Sequence, residues 1–242
     1  MDAQYAAIYP TLYRNHWWWR VRERMLVKTL EQLVPEPPVR ILDVGCGAGL
    51  FFNTLQRFGD ITGIESDVAS VAPDNPWNDR IICGELDDAY APPAPFDLIL
   101  MLDVLEHVPA AGALLRNARR ILADSGRIVV TVPAFQWLWT AHDEMNHHVK
   151  RYTAHEISSL IRESGLVVTE TRYLFQSLVV PKLAVRLSEA FRLRRPDVPS
   201  VPGRTVSAAL QTWFWTEYNL LGRLPFGTSV LAIAEHPRSA ER

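Results

Sequence analysis

Apolar residues recur along this chain at two different periods. Short, largely apolar runs appear at Ile41 to Val44, Asp60 to Glu65, Arg80 to Gly84 and Phe96 to Leu102. Runs of this length, bounded by turn residues, read as strands buried on both faces. Arg127 to Pro133, Gly165 to Phe175 and Ser229 to Glu235 continue the series. Helical stripes lie between and before them. From His16 to Leu33, Trp18, Val21, Met25, Leu26, Leu30 and Leu33 share one face, and the prolines of 35–38 end the helix. Over 109–123, Leu114, Leu115, Ala118, Ile121 and Leu122 face inward, with Arg116, Arg119 and Arg120 outside. Further helices are expected over 49–58 and after Thr153, which forms a capping box with Glu156. Residues 1–15 carry no strong period. Strands alternating with helices build an α/β domain on a mostly parallel sheet.

The first strand leads into Gly45-Cys46-Gly47-Ala48-Gly49, three glycines at alternate positions ahead of Leu50-Phe51-Phe52. Glycine allows the tight bend and leaves no Cβ between backbone and ligand. A dinucleotide fingerprint would place its third glycine at position 50, which is Leu. Asp43, just before the bend, would repel a pyrophosphate and suits an ammonium-bearing ligand. Glu65 ends the next strand about 20 residues on, where a carboxylate accepts hydrogen bonds from both ribose hydroxyls.

The string Leu42-Asp43-Val44-Gly45-Cys46-Gly47-Ala48-Gly49 resembles motif I of the class I S-adenosylmethionine (SAM) methyltransferases, an acidic residue followed by x-G-x-G-x-G. The likeness covers about residues 39–175 well and the ends loosely. It implies a Rossmann-like, seven-stranded, mostly parallel sheet with an antiparallel last strand, helices on both faces and a helical cap. It also implies SAM as methyl donor and S-adenosylhomocysteine as product. By this resemblance Asp43, Gly45, Cys46, Gly47 and Gly49 cradle the donor, and Glu65, followed by Ser66, takes the ribose. Glu85 and Leu86 sit at the adenine, with Glu where family members commonly carry Asp. Leu102 lends a carbonyl to the methionine ammonium, and Asp103 lies beside the reacting methyl. Leu102 to Val108 resembles the small-molecule branch. The Asn/Asp-Pro-Pro-Tyr/Phe signature of amino-methylating DNA enzymes is absent. Four segments follow: an N-terminal helical cap (1–38), the SAM-binding core (39–175), a helical insertion (176–227), and the last strand with its tail (228–242).

Ala134 to Tyr152 follows the fifth strand and overhangs the carboxyl edge of the sheet. Dense in aromatic and titratable groups, it has the composition of a recognition loop. Its His-Asp-Glu…His-x-x-Arg-Tyr-Thr pattern looks like bacterial SAM methyltransferases of the type 11/12 group. An oxygen or nitrogen acceptor needs a group to take its proton, and imidazole suits neutral pH. His148 is the candidate base, with His142 or His107 as substitutes and Asp143 as the orienting carboxylate. Trp137, Trp139, Arg151 and Tyr152 are candidate substrate contacts. Trp17, one of three adjacent indoles, is a further one if its helix acts as a lid rather than a plain cap. The spacing from His142 to His147 or His148 does not fit a helical metal pair, so no resident metal is expected.

With 242 residues, 48% hydrophobic and a net charge of −2, the chain suits one large globular domain and has no general attraction to nucleic acid. Only two cysteines occur, no signal-peptide pattern opens the chain, and no run of about 18 apolar residues is present, so a reducing cytoplasm is expected. The insertion carries helices at 176–193 and 204–222 around a proline-rich hinge at 196–202. Lys182, Arg186, Arg192, Arg194, Arg195 and Arg204 crowd its first half, and Trp213, Phe214, Trp215 and Tyr218 its second. It reads as a cap over the cleft, with peripheral membrane contact through the basic helix 176–195 and homodimerisation through the aromatic helix as alternatives. The function expected is methyl transfer from SAM to oxygen or nitrogen of a small molecule, free or lipid- or sugar-linked. Its rival is a SAM-binding regulator or partner subunit without turnover. Fold cannot name the acceptor.

Overall fold

A computed structural model describes residues 3–34, 36–191, 200–220 and 224–237 of the chain. Seven strands, β1 (Val39–Val44), β2 (Gly59–Glu65), β3 (Ile81–Cys83), β4 (Phe96–Leu102), β5 (Leu122–Pro133), β6 (Val167–Leu174) and β7 (Ser229–Glu235), form one sheet in the order β3-β2-β1-β4-β5-β7-β6. Only β7 runs against its neighbours. Strand order reverses between β1 and β4, and an open α/β sheet binds ligand in the crevice outside the carboxyl ends of such a pair. Asp43 and Asp103 flank that crevice.

Strand alternation divides the interior into two cores. Ile41, Leu98, Leu100, Val129 and Ile233 face α2 (Trp17–Leu33), α3 (Phe52–Leu55) and α8 (Arg204–Leu220). Leu42, Ile99, Met101, Val130 and Ala232 face α4 (Ala111–Ile121) and α6 (Ala154–Glu163). The capping box of α6 forms as its sequence indicates, Thr153 Oγ1 accepting from the Glu156 amide at 3.1 Å. Both cysteines are free. Among the described residues no helix is long and apolar enough to cross a membrane.

Several elements depart from the pattern read in the sequence. Residues 3–15, without a clear period, form α1 (Ala3–Asn15), which packs on α2. The helix expected over 49–58 shrinks to α3, and at its start Gly49 takes a positive φ that no α-helix accommodates. The strand expected from Arg127 starts five residues earlier, so that Asp124-Ser125-Gly126 lies inside β5, and the register with β4 slips there, from Phe96 opposite Leu122 to Leu98 opposite Arg127. In the insertion, α7 (Val179–Ala190) is shorter than the helix expected. Arg192, Arg194, Arg195 and residues 196–199 of the hinge lie outside the described residues, as do 221–223 and 238–242.

The three adjacent indoles find three different surroundings. Trp17 stacks on Phe214 of α8 (4.9 Å between centroids, 17°), and Trp19 meets Tyr9 of α1 edge-on at 5.8 Å. Trp18, half-buried, lies over Phe175 at 5.5 Å. Helix α8 is thereby joined to α2, and the Tyr218 hydroxyl strengthens the joint by pairing with Thr29 Oγ1 at 3.2 Å. Removing the stacked ring should be costly. Phe214→Ala is expected to lower the unfolding free energy by ~3–5 kcal/mol, read from urea denaturation curves.

Candidate functional site

The bend after β1 is fixed by its own backbone and by one carboxylate. The Gly45 amide donates to the Ile64 carbonyl at 2.8 Å, tying the turn to β2. The Gly47 amide donates to Glu65 Oε2 at 2.7 Å and the Asp67 amide to Oε1 at 2.8 Å. Glu65 is thus held rigid beside the glycines, each oxygen keeping a lone pair for a further donor. A Cβ built on Gly45 would lie 2.7 Å from Val104 Cγ2, whereas one on Gly47 would meet nothing within 4 Å. Gly47 therefore borders open space, as a ligand cradle requires. Asp43 is buried beneath the bend. Burial pushes its carboxyl up to about 7, with Arg22 opposing and Glu65 adding to the rise. Cys46 is half-buried in the bend, and Ser66 is exposed just beyond Glu65.

The other expected donor contacts lie after β3 and β4. Glu85 is exposed, while the Leu86 side chain enters the core and its carbonyl accepts from Asn117 Nδ2 at 3.0 Å. After Leu102, Asp103 adopts a left-handed conformation (φ 59°), and its carboxylate accepts from Thr131 Oγ1 at 2.9 Å. Its other oxygen is ion-paired with Arg22 Nη2 at 2.8 Å, and the same nitrogen donates to Thr131 Oγ1 at 2.9 Å. Sequence reasoning passed over Arg22. Its only signal was a position four residues after Trp18, on the edge of the α2 apolar stripe, and its guanidinium indeed lies over that indole at 5.5 Å. Trp17 does not line the crevice in this arrangement. Its stacking on Phe214 keeps it in the core, and Trp18 is the indole beside Arg22.

Across the carboxyl edge, a buried acid organises the loop after β5. Helix α5 (Ala141–Met145) opens with a capping box in which the Thr140 amide donates to Asp143 Oδ2 at 2.9 Å. Asp143 Oδ1 accepts from Arg151 Nε at 2.8 Å and pairs with His148 Nδ1 at 2.9 Å. Lys182 Nζ of α7 stands 3.9 Å from Oδ2. Burial alone would raise the Asp143 carboxyl, but the His148 hydrogen bond and the Arg151 and Lys182 charges outweigh it and hold it well below the usual carboxylate range. The expected pairing of His148 with Asp143 is therefore present. With Nδ1–H given to Asp143, a neutral His148 presents Nε2 as an acceptor.

Two expected substrate contacts are internal supports instead. Arg151 is buried, and besides Asp143 it donates from Nη1 to the Ala134 carbonyl at 2.6 Å. Tyr152 is buried too, its hydroxyl on the Leu105 carbonyl at 3.2 Å. Polar side chains this deeply enclosed pair with the backbone and side chains around them. Trp137 is exposed at the rim against Phe135, and the Trp139 carbonyl accepts from Arg186 at 3.0 Å.

The loop closes onto the segment after β4. The Val149 amide donates to the Glu106 carbonyl at 2.7 Å, and the His107 and His148 rings meet edge to face at 4.8 Å. Glu106 is buried, and neither of its carboxylate oxygens has a hydrogen-bond partner among the described residues. Burial, reinforced by the Asp103 charge, raises it well above the ordinary value. Burial also lowers His107, with His148 adding, and His142, with Lys182 adding, each to about 4. One ligand atom each from Glu106, His107 and His148 lies within 4.8 Å of the others, a set a cation could use. Of the loop's histidines, only His148 belongs to it.

The depressed Asp143 carboxyl stabilises the fold fully above the unfolded-state value, and this contribution is lost progressively as pH falls from there to the depressed native value. Asp143→Asn should cost ~3 kcal/mol near neutrality, and the gap to the unaltered protein should narrow as pH drops below about 4. Denaturant melts across a pH series measure both.

A family model described as a methyltransferase domain matches residues 18–171. Among curated proteins, the ubiquinone biosynthesis O-methyltransferase of Bradyrhizobium diazoefficiens is 26% identical over 155 residues, 54% of this chain and 60% of that one. Its namesake in Xylella fastidiosa is 34% identical over 110 residues, 42% of this chain and 45% of the other. The chain thus spans less than two thirds of these relatives. A SAM-dependent methyltransferase from Archaeoglobus fulgidus superposes with a TM-score of 0.54 at 14% identity, covering 88% of this chain and 93% of that one. The [4+2]-cyclase SpnF does so with a TM-score of 0.58 at 20% identity, covering 92% and 84%. At such identities the solved structures establish the fold. The family match over most of the chain, falling on the glycine bend, Glu65 and Asp103, establishes the rest: the chain belongs to the class I SAM-dependent methyltransferases.

Proposed function

We propose that the chain transfers the methyl group of SAM to an oxygen, or a nitrogen, of a small-molecule acceptor, with His148 receiving the proton that the acceptor loses. The observation that carries this reading is the 2.9 Å contact between His148 Nδ1 and the buried Asp143, on a loop docked against the carboxyl end of β4. The O-methyltransferase names of the curated relatives favour oxygen.

SAM supplies a sulfonium methyl that is already electrophilic, so the protein's work is mostly alignment. Glu65 accepts from the ribose hydroxyls. The Leu102 carbonyl and the Asp103 carboxylate offer acceptors to the ammonium of the donor, and Arg22 offers its carboxylate a partner. His148 takes the acceptor's proton at Nε2, and Asp143 stabilises the resulting imidazolium. A second reading, donor binding without methyl transfer, draws on the cyclase name carried by a protein of the same fold, since fold does not fix chemistry.

His148→Gln should lower kcat for the methylated acceptor ~10²–10⁴-fold while leaving the dissociation constant for S-adenosylhomocysteine within about twofold. Full activity would remove His148 from the mechanism. A rate limb near pH 4 would move the role to His107 or His142. Loss of activity in a chelator, restored by a divalent cation, would make His148 a metal ligand beside Glu106 and His107. Glu65→Gln is expected to weaken S-adenosylhomocysteine binding ~10–100-fold by calorimetry, because a neutral amide replaces a charged acceptor.

A further inference from the structure

Helix α7 is amphipathic in the opposite sense to an ordinary surface helix. Lys182, Arg186 and Glu189 share one face at four- and three-residue spacing, and all three point into the protein. Lys182 Nζ donates to Thr140 Oγ1 at 3.0 Å, Arg186 Nη1 to the Trp139 carbonyl at 3.0 Å, and Glu189 Oε2 accepts from the Ala141 amide at 3.1 Å. The opposite face is Val180, Leu183, Leu187 and Phe191, and it is open to solvent: Val180 is 74% exposed and Phe191 71%. No residue of α7 is buried. The basic helix anticipated from the sequence therefore directs its described cations inward and its apolar stripe outward.

Helix α8 continues this surface. Val206, Trp213 and Leu220 recur at seven-residue spacing along its exposed side, Trp213 at 59% and Leu220 at 76%. After Arg204 that side carries no charge, because Glu217 is turned inward to accept from the Gln176 and Ser177 amides at 2.8 and 2.7 Å. Trp213 Nε1 donates to Ser177 Oγ at 3.1 Å, which brings the α8 stripe to the turn that opens α7. Beyond the apolar stripe, Thr212, Thr216 and Asn219 form an exposed polar band. Cations follow: Arg24 lies over Trp215 at 3.8 Å and Lys28 at 5.5 Å.

We propose that the paired outer faces of α7 and α8 dock on an anionic phospholipid surface. An apolar stripe with an exposed indole, a hydroxyl band and then cations is the order in which an interfacial helix meets acyl chains, interface and headgroups. Arg204, Arg24 and Lys28 supply charge complementarity to such a surface, while both acids of the patch, Glu189 and Glu217, face inward. A second copy of the chain fits less well. A twofold contact sets the patch against itself, and its rim cations would meet cations. Since α7 lies directly on the loop bearing His142 and Asp143, docking would set that loop at the membrane. The supply of an apolar acceptor from the bilayer rests on the methyl-transfer reading, whereas the docking does not.

Co-sedimentation with phosphatidylcholine vesicles, with and without phosphatidylglycerol, tests the proposal on the full chain. Binding is expected to the anionic vesicles, to weaken with salt, and to fall roughly tenfold or more in Leu187→Glu and in Trp213→Glu. Val167→Glu, an exposed apolar position on β6, should leave it unchanged. Calorimetry with S-adenosylhomocysteine on the same variants shows that each is folded. Its failure with the unaltered chain would strike the methyl-transfer reading and not this one. No sedimentation with either vesicle, or equal sedimentation of all variants, overturns the proposal. So does a concentration-dependent dimer that Leu187→Glu dissociates without any vesicle binding.

Discussion

A carboxylate shut away from water holds the acceptor side of this protein together. Asp143 takes hydrogen bonds from the start of its own helix, from Arg151 and from His148, and Lys182 of α7 stands near it. An ion so deeply enclosed is stable only when every direction is answered, and here the loop after β5 supplies three of the answering groups and α7 the fourth. The loop after β5, the insertion helix and the histidine are consequently fixed relative to one another by one atom pair. That explains how a segment with little regular structure presents a single imidazole in a defined orientation.

The donor side follows a different physical logic. Its rigidity comes from backbone: positive φ at three glycines, amides turned onto Glu65, and a bend anchored to β2. Charged side chains are brought to it from a distance. Arg22 arrives from a helix that precedes the sheet, and pairs with an acid whose left-handed conformation aims it back across β5. The crevice is thus built from two rigid halves, one of main chain and one of buried ion pairs, and the open space bordering Gly47 belongs to the first.

The strands, the glycine bend and Glu65 were readable because each depends on local sequence: an apolar run, a residue without Cβ, a fixed interval. The His148–Asp143 pair could be anticipated for the same reason, since both lie on one short loop. What escaped was set by long-range packing. Arg151 and Tyr152 have the composition of ligand contacts, and only their enclosure by Ala134, Asp143 and Leu105 shows them to be supports. Arg22 lies at the edge of the α2 apolar stripe, and nothing in its local sequence marks it as the partner of Asp103. The inward cations of α7 could not be told from outward ones by periodicity, which identifies opposite faces but not which of them is covered.

The Arg22–Asp103 pair changes the status of the first two helices. A detachable lid could be trimmed and leave the binding crevice whole. Here truncation before β1 would strip a guanidinium from the carboxylate beside the crevice and leave Thr131 with one donor fewer. The family match, which begins at residue 18, already includes that arginine. A fragment that keeps this side of the crevice intact therefore has to begin upstream of Arg22, well before the sheet.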